Sequence, residues 1–264
     1  MKKLLNLAFL SISLLLPIHS FAGQASTEGM LTLAYSDGRP VTRGINNVNA
    51  VLKTVGVRVS TQALPAAATP ILKASQTRAI TADEARALIT HFALHRGQLL
   101  DEISKAGRKP EAHRGGYLST SEAGVAPYPK VYDMKALTPD VKAYLQKKFG
   151  LLHVNSADNG VGIDEVMTIV SGGPWTWFFA LPDNTVAKLT LGHVGLDGQA
   201  WRISYPGLRP HGGYLDAEYG LVVAYAHGPK NFVMRYEEPS IEGAEVLNTN
   251  PWIDLSGETP TLLD

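Results

Sequence analysis

The sequence predicts an α+β protein in which a helical N-terminal part is followed by an antiparallel β-barrel or sandwich. Helix-start and helix-stop signals are concentrated before Gly150. After Gly150, short β-branched or aromatic runs recur without intervening helices, and turn residues separate them. A barrel or sandwich is typical of that spacing. The predicted strands are residues 165–170, 174–181, 185–191, 199–205, 220–226 and 231–236.

The first 22 residues have the layout of a secretory signal peptide. Lys2 and Lys3 form a positive start, and an almost unbroken apolar run extends from Leu4 to Leu16. Ser20 and Ala22 then place small residues before a cleavage position, and the apolar run is too short for a stable membrane span. We therefore expect a periplasmic or secreted protein after cleavage near Ala22, without a membrane anchor.

Composition excludes several classes of function. Removing residues 1–22, which hold two lysines and no acid, leaves 22 basic and 24 acidic residues. This balance gives no electrostatic reason to expect nucleic acid as a partner. Cysteine is absent. Disulfides, thiolate nucleophiles and cysteine-ligated metals are therefore impossible, and stability must come from packing.

The helical part shows two clear capping patterns. Thr81 and Glu84 have capping-box spacing and predict one helix that runs to about Lys105. Thr138 and Gly150 bracket a second predicted helix. The predicted organisation is a signal peptide at 1–22, a helix-rich region at 23–149 that begins with an irregular arm at 23–43, a β-rich domain at 150–238 and a loop-like tail at 239–264.

Four histidines of the β half are the candidate metal ligands. His193 and His227 follow predicted strands, His211 lies in a connection rich in proline and glycine, and His153 follows Gly150. Neutral imidazole is the commonest metal ligand, so rings brought to one rim could hold a divalent metal ion. The alternative is that the four are unrelated structural histidines, since no H-x-H or H-E-x-x-H spacing is present.

Charged residues near the same strand edges are the candidate catalytic groups. Asp164 or Glu165 could supply a further ligand or a general base. Arg202 and Arg209 could orient an acidic small molecule, because guanidinium binds carboxylate in a bidentate manner. The alternative for each arginine is an ordinary solvated surface position.

A β-rich half with histidines near strand ends resembles the cupins. The residues that carry the likeness are Gly192–Gly195 around His193, and Pro206–His211. They depart from the family pattern, which has a second histidine where Gly195 stands and does not place glycine directly after the proline. The resemblance implies a metal-binding antiparallel barrel, from a family that includes dioxygenases, lyases and isomerases.

The sequence therefore favours an exported, metal-dependent enzyme acting on a small, acidic molecule as a lyase, oxygenase or hydrolase. A non-catalytic periplasmic binding or interaction protein is the alternative. The aromatic run with Trp175, Trp177 and Phe179 on one face fits a ligand surface in that case, although barrel core is its commoner role. Substrate, metal identity and oligomeric state are not specified by these residues.

Overall fold

The computed structural model describes residues 30–109, 128–229 and 231–264. The predicted signal peptide lies outside the described residues. The helices are α1 (Ile45–Leu52), α2 (Thr69–Ala74), α3 (Ala82–His91), α4 (Arg96–Lys105) and α5 (Pro139–Gly150). The strands are β1 (Leu31–Tyr35), β2 (Thr42–Arg43), β3 (Arg58–Ala63), β4 (Lys130–Asp133), β5 (Val154–Ser156), β6 (Asp164–Gly172), β7 (Trp175–Ala180), β8 (Val186–Leu191), β9 (Gln199–Tyr205), β10 (His211–Tyr214), β11 (Gly220–His227), β12 (Val233–Arg235), β13 (Ile253–Asp254) and β14 (Thr261–Leu262).

Two five-stranded antiparallel sheets form the body of the protein. The first has the order β10-β7-β8-β1-β2, and the second has the order β3-β9-β6-β11-β4. Two small sheets, β12-β5 and β13-β14, complete the strand pairing of the described residues. The predicted mixture of helices and antiparallel strands is confirmed, whereas a closed barrel is not found in the described part of the chain.

The main hydrophobic core contains side chains from both large sheets. Trp175, Trp177 and Phe179 of β7 lie in this core, as does Ile203 of β9. Phe178 points to the opposite face of the first sheet, where it packs with Trp252 and Ile253 of the C-terminal segment. The alternation predicted for β7 is therefore confirmed. The segment after residue 238, predicted to be loop-like, packs apolar side chains against one face of the first sheet.

The N-terminal part contributes strands as well as helices. Residues 23–43 were predicted to be an irregular arm, yet β1 lies inside the first sheet and pairs with β8 over five residues. Its buried positions alternate, with Leu31, Leu33 and Tyr35 facing inward. The arm prediction was wrong because only three inward residues carry the strand signal, and polar neighbours interrupt it.

The single helix predicted from Thr81 to Lys105 is two helices. The capping box of Thr81 and Glu84 is present at the start of α3. Tyr225 donates its hydroxyl hydrogen to the carbonyl of Ile89 at 2.9 Å, close to the residue where α3 ends. The backbone N–H of His95 then binds the side chain of Gln98 at 3.0 Å, a cap that starts α4.

The second predicted helix is confirmed as α5. Thr138 caps it by accepting the N–H of Val141 at 3.3 Å. Its buried side includes Gln146, whose amide donates to the carbonyl of Leu215 at 2.8 Å. Val141 and Tyr144 of the same helix are exposed. No helix in the described ranges is long and apolar enough to cross a membrane.

Candidate active site

A pocket between the two large sheets holds the strongest cluster of polar side chains. It has a volume of about 80 Å³ and is lined by residues of β6, β7, β9 and β10. We call it the imidazole pocket. Its lining includes the polar side chains of His153, Asn155, Glu165, Thr176 and His211, and the aromatic side chains of Tyr128, Tyr132, Phe149, Trp175, Trp177, Tyr205 and Tyr214.

His153 and His211 are brought together by their backbones. Each residue donates its N–H to the carbonyl of the other at 2.9 Å. Their ring centroids are 4.7 Å apart in an edge-on arrangement, and both residues are buried. This bridge lies just before β5 and at the start of β10, two short strands that the sequence pattern did not predict.

Both imidazole rings are oriented in the same way. Nδ1 of His153 lies 2.7 Å from the carbonyl of Leu151, and Nδ1 of His211 lies 2.7 Å from the carbonyl of Arg209. A carbonyl can only accept, so each Nδ1 carries a proton, and Nε2 is the ring nitrogen left to face the pocket. Outer-shell bonds of this kind orient imidazoles that ligate metals.

Burial keeps His153 uncharged. Desolvation and, to a lesser extent, the neighbouring ring of His211 lower the pKa of His153 to about 3. At neutral pH this residue therefore has an unprotonated Nε2, which is the form that binds a metal ion.

Glu165 lies beside His211 and accepts hydrogen bonds from neighbouring side chains. Its side chain is 3 % exposed, and Oε2 is 3.4 Å from Nε2 of His211. Asn155 donates Nδ2 to the same oxygen at 2.7 Å, while Tyr128 donates its hydroxyl hydrogen to Oε1. Burial, together with the charge of Glu165, raises the pKa values of Tyr128 and Tyr205 well above the ordinary range. Both phenols therefore stay protonated donors.

Asn155 links the carboxylate to one imidazole. Its Nδ2 lies 2.9 Å from Nε2 of His211 as well as 2.7 Å from Glu165. Its Oδ1 is buried and has no hydrogen-bond partner among the described residues. A buried acceptor without a donor is costly, and it marks a place where a bound cation or water would be stabilised.

A glycine positions this group. Gly207 accepts the N–H of Asn155 at 2.8 Å, and its own N–H binds Asp164 Oδ1 at 3.3 Å. A Cβ at this position would lie 2.3 Å from the carbonyl oxygens of Asn155 and Ile163. Only glycine permits such a close approach of backbones, so the turn at 206–207 sets where Asn155 sits.

The chemistry of these donors fits a divalent metal ion. Two buried imidazoles, a carboxylate and an orphaned amide oxygen line one small space, and two histidines with one carboxylate form a recurrent ligand set. The described residues do not, however, contain three His, Asp or Glu side chains already arranged as a complete ligand set. Glu165 is engaged with Asn155 and Tyr128, so binding would require exchange of those hydrogen bonds.

Two of the four predicted ligands lie elsewhere. His193 is exposed beyond β8, where its ring is close to Tyr219 and Gly173. His227 is fully buried at the end of β11, opposite Asp164 in the β6 register. Partners directly opposite each other share a sheet face, and successive residues alternate, so His227 lies on the face away from Glu165.

The other predicted catalytic residues also face away from the pocket. Asp164 forms an ion pair with Arg108 at 3.0 Å on the helix-covered side of the second sheet. Arg202 lies on that side too, between Thr168 and Glu102. Arg209 pairs with Glu242 at 2.9 Å and gives the site only its backbone carbonyl. Neither arginine lines the imidazole pocket, so the expected clamp for an acidic molecule is absent from the described lining.

Three residues of the site were missed by sequence reasoning. Asn155 stands two positions after His153, a spacing that places both on one face of a strand, and this was the available signal. Tyr128 comes from the segment before β4 and Tyr205 from the end of β9, and nothing in their spacing connects them to the histidines.

Comparisons with known proteins support the fold. No family model and no curated protein matches the chain. Among solved structures, the chain is similar to a cupin-fold enzyme described as acireductone dioxygenase from Bacillus anthracis with cadmium ion in active center. The TM-score is 0.52 at 17 % identity, over 78 % of this chain and 98 % of that chain. The similarity is one of fold, in agreement with the cupin-like architecture expected from the sequence.

Proposed function

We propose that this protein is a metal-dependent enzyme that acts on a small molecule in the imidazole pocket. The observation that carries the proposal is the pair of buried imidazoles, His153 and His211, each with Nδ1 held by a backbone carbonyl, with the carboxylate of Glu165 3.4 Å from Nε2 of His211. The similarity to an enzyme whose structure has a cadmium ion in its active center adds support at the level of fold.

The ligands of the divalent metal would be Nε2 of His153, Nε2 of His211 and the carboxylate of Glu165, with Oδ1 of Asn155 available as a further oxygen donor. A metal bound in this way supplies Lewis acidity or, for a redox-active ion, activation of oxygen. Lyase, oxygenase and hydrolase chemistry all remain within the proposal.

The protein's own groups have defined tasks around such a centre. Tyr128 and Asn155 fix the orientation of Glu165 through hydrogen bonds to its two oxygens. The carbonyls of Leu151 and Arg209 hold the two imidazole tautomers. Aromatic side chains form much of the pocket wall, and electrostatic interactions beside such apolar surface are stronger than in solvent.

Metal analysis tests the proposal. Purified protein is incubated with Fe²⁺, Mn²⁺, Ni²⁺ or Zn²⁺, desalted and measured by inductively coupled plasma mass spectrometry. We expect about one ion per chain for at least one metal, and a loss of affinity of roughly 10- to 100-fold in His153→Ala, His211→Ala and Glu165→Gln. His193→Ala, which changes an exposed histidine outside the pocket, is the matched control and should bind as the unchanged protein does.

A non-catalytic role as a ligand-binding protein is the second candidate function. It is favoured by the hydrogen bonds that already satisfy Glu165, and by the lack of a complete three-residue ligand set in the described residues. A chain that takes up none of the four metals, yet keeps its full thermal stability, would support this candidate and contradict the enzyme.

We also propose that the protein is exported, with cleavage near Ala22. The arrangement of Lys2, Lys3 and the apolar run from Leu4 to Leu16 supports this location.

A further inference from the structure

We infer that the substrate of the imidazole pocket is a small molecule with a carboxylate at one end, and that Lys130 and Lys148 bind this carboxylate at the pocket mouth. The other end of the molecule then reaches the imidazoles. This inference rests on the proposed function for the assignment of the pocket as the active site. It keeps the acidic molecule expected from the sequence and assigns its recognition to two lysines in place of Arg202 and Arg209.

The exposure of the lining residues shows where the pocket opens. His153, Asn155, Glu165 and His211 are buried, so they form its inner end. The half-buried lining residues are Tyr132, Phe149, Gly213, Leu215 and Met234. Within the described part of the chain, the mouth therefore lies between β4, the end of α5, the end of β10 and β12.

Lys130 stands beside this mouth on the pocket face of the second sheet. It belongs to β4, where Lys130 is paired with Ala224 and Tyr132 is paired with Val222. Side chains two residues apart in a strand share a face, so Lys130 lies on the same face as the lining residue Tyr132. Its Nζ is 4.6 Å from the ring centroid of Tyr132.

Lys148 approaches the same mouth from the end of α5. It precedes the lining residue Phe149, whose ring centroid is 6.2 Å from that of Tyr132. The hydroxyl of Tyr236 donates to the carbonyl of Lys148, and the ring centroid of Tyr236 is 5.6 Å from that of His153. The end of α5 is therefore separated from the first imidazole by a single tyrosine side chain.

The two lysines carry positive charge that no acid of the described ranges neutralises. The lysine ion pairs there are those of Lys105 and Lys135. Burial and, after it, the charge of Lys148 lower the pKa of Lys130, so the two ammonium groups lie close enough to repel each other. A carboxylate between them would relieve this repulsion and would accept charge-assisted hydrogen bonds from both.

The end of α5 favours a ligand group with a single negative charge. The C-terminal end of a helix carries partial negative charge from its free carbonyls. Lys148 lies in the last turn of α5, so this helix end offsets part of its charge. The positive charge that remains matches one carboxylate better than a doubly charged phosphate, for which arginine forks and helix N-termini are the typical partners.

The size of the pocket requires a ligand that extends to the mouth. If one water-sized group takes about 15 Å³, then a cavity of about 80 Å³ holds roughly five such groups. Phe149, Leu215 and Met234 give its outer part an apolar wall. A short apolar spacer between the inner polar end and the carboxylate would be buried against this wall.

Glutaramate and glutaramide test the inference, because they share one amide end and differ in whether the other end is a carboxylate or a second amide. Their dissociation constants are measured by ligand-observed NMR on the full protein after treatment with EDTA, where a carboxylate cannot gain by coordinating a metal. We expect glutaramate to bind at least about fivefold more tightly than glutaramide. Equal binding, tighter binding of glutaramide, or no binding of either compound would overturn the inference.

Variants of the lysines locate the source of the preference. In the double variant Lys130→Gln/Lys148→Gln the preference for glutaramate should fall to within about twofold. Each single variant should lose part of the preference, which keeps the test available if the double variant does not fold.

Lys188→Gln is the matched control. Lys188 also lies over an aromatic ring, with Nζ 4.3 Å from the ring centroid of Trp252. It is paired with Phe178, on the face of the first sheet that points away from the pocket, so the preference should be retained. A preference that persists in folded lysine variants of the mouth, or that falls equally in Lys188→Gln, would overturn the assignment to Lys130 and Lys148.

The outcome is separable from that of the metal measurement. If the protein takes up no metal and still prefers glutaramate through the two lysines, the proposed enzyme fails while the ligand class stands. If metal binds at the histidines and the EDTA-treated protein shows no preference for glutaramate, the ligand class fails while the metal site stands.

Discussion

Gly207 and Asn155 are held together by a backbone hydrogen bond of 2.8 Å, and their approach leaves no room for a side chain on Gly207. The contact joins the turn before β10 to β5. It thereby sets the distance between His211 on one segment and the pair His153 and Asn155 on the other.

Replacing Gly207 with alanine should therefore disturb both folding and the site. The added Cβ would meet backbone oxygens, which cannot move aside as a flexible side chain can. We expect a loss of about 1–3 kcal/mol in the free energy of unfolding, measured by urea denaturation, together with weaker metal binding. Gly195→Ala is the control, since a Cβ there meets nothing within 4 Å. Equal effects from the two variants would contradict this role for Gly207.

The stability of the protein should depend on pH through His153. Its pKa is about 3 in the folded state and near the ordinary histidine value of 6.5 when the chain is unfolded. Below pH 6.5 the unfolded chain therefore binds a proton that the folded chain does not, so stability falls as the pH drops from 6.5 towards 3. Between pH 6.5 and 5 this group should account for about 1–2 kcal/mol of lost stability.

Urea denaturation at both pH values measures this dependence. The difference in unfolding free energy between pH 6.5 and pH 5 should be smaller in His153→Gln than in the unchanged protein. In His193→Gln, where the changed ring is exposed, the difference should be retained. The interpretation fails if His153→Gln shows the same dependence as the unchanged protein.

Glu102 should stabilise the contact between α4 and the second sheet. Its carboxylate lies 2.9 Å from Arg58 and 3.5 Å from Arg202, and Arg202 is buried. Glu102→Gln would leave the Arg202 guanidinium without its charged partner, at a cost of about 2–4 kcal/mol. Asp101→Asn, one residue earlier, changes an exposed ion pair and should cost less than about 0.5 kcal/mol. Similar midpoints of urea denaturation for both variants would contradict a stabilising role for the ion pairs of Glu102 with Arg58 and Arg202.

Export can be measured by the mass of the mature protein. Expression of the full sequence with a functioning secretion system should give a chain that begins at Gly23. Ala22→Leu places a large residue before the cleavage position and should leave precursor uncleaved, whereas Ala25→Leu lies past that position and should be processed normally. Recovery of the full-length precursor alone from cells expressing the unchanged sequence would contradict the predicted signal.

Local signals predicted most of the regular structure. The capping residues of α3 and α5, and the alternating run of β7, act within a few positions of the chain, so the sequence pattern shows them directly. The break after His91 carries no glycine or proline signal in the sequence, and the contact of Ile89 with Tyr225 of a distant strand is not visible in a local pattern.

The residues of the candidate site could be predicted from the sequence only in part. His153, His211 and Glu165 could be named as candidates by residue type, but β5 and β10 are too short to produce a periodic signal. Which face each side chain occupies depends on strand register, and a shift of one residue exchanges Glu165 with Asp164. Long-range strand pairing therefore decides which of these two acids faces the pocket, and the local pattern of a single sequence does not show that pairing.

The position of β1 within the first sheet has a consequence for how the polypeptide matures. Leu33 of β1 is paired with Leu189 of β8. β1 is therefore synthesised long before the strand that pairs with it along its full length. Such non-local pairing slows folding, because the intervening loop must close before its contacts contribute. A nascent chain that ends before β8 can pair its first strand only with the two-residue β2, so the other edge of β1 stays unpaired until β8 has been synthesised.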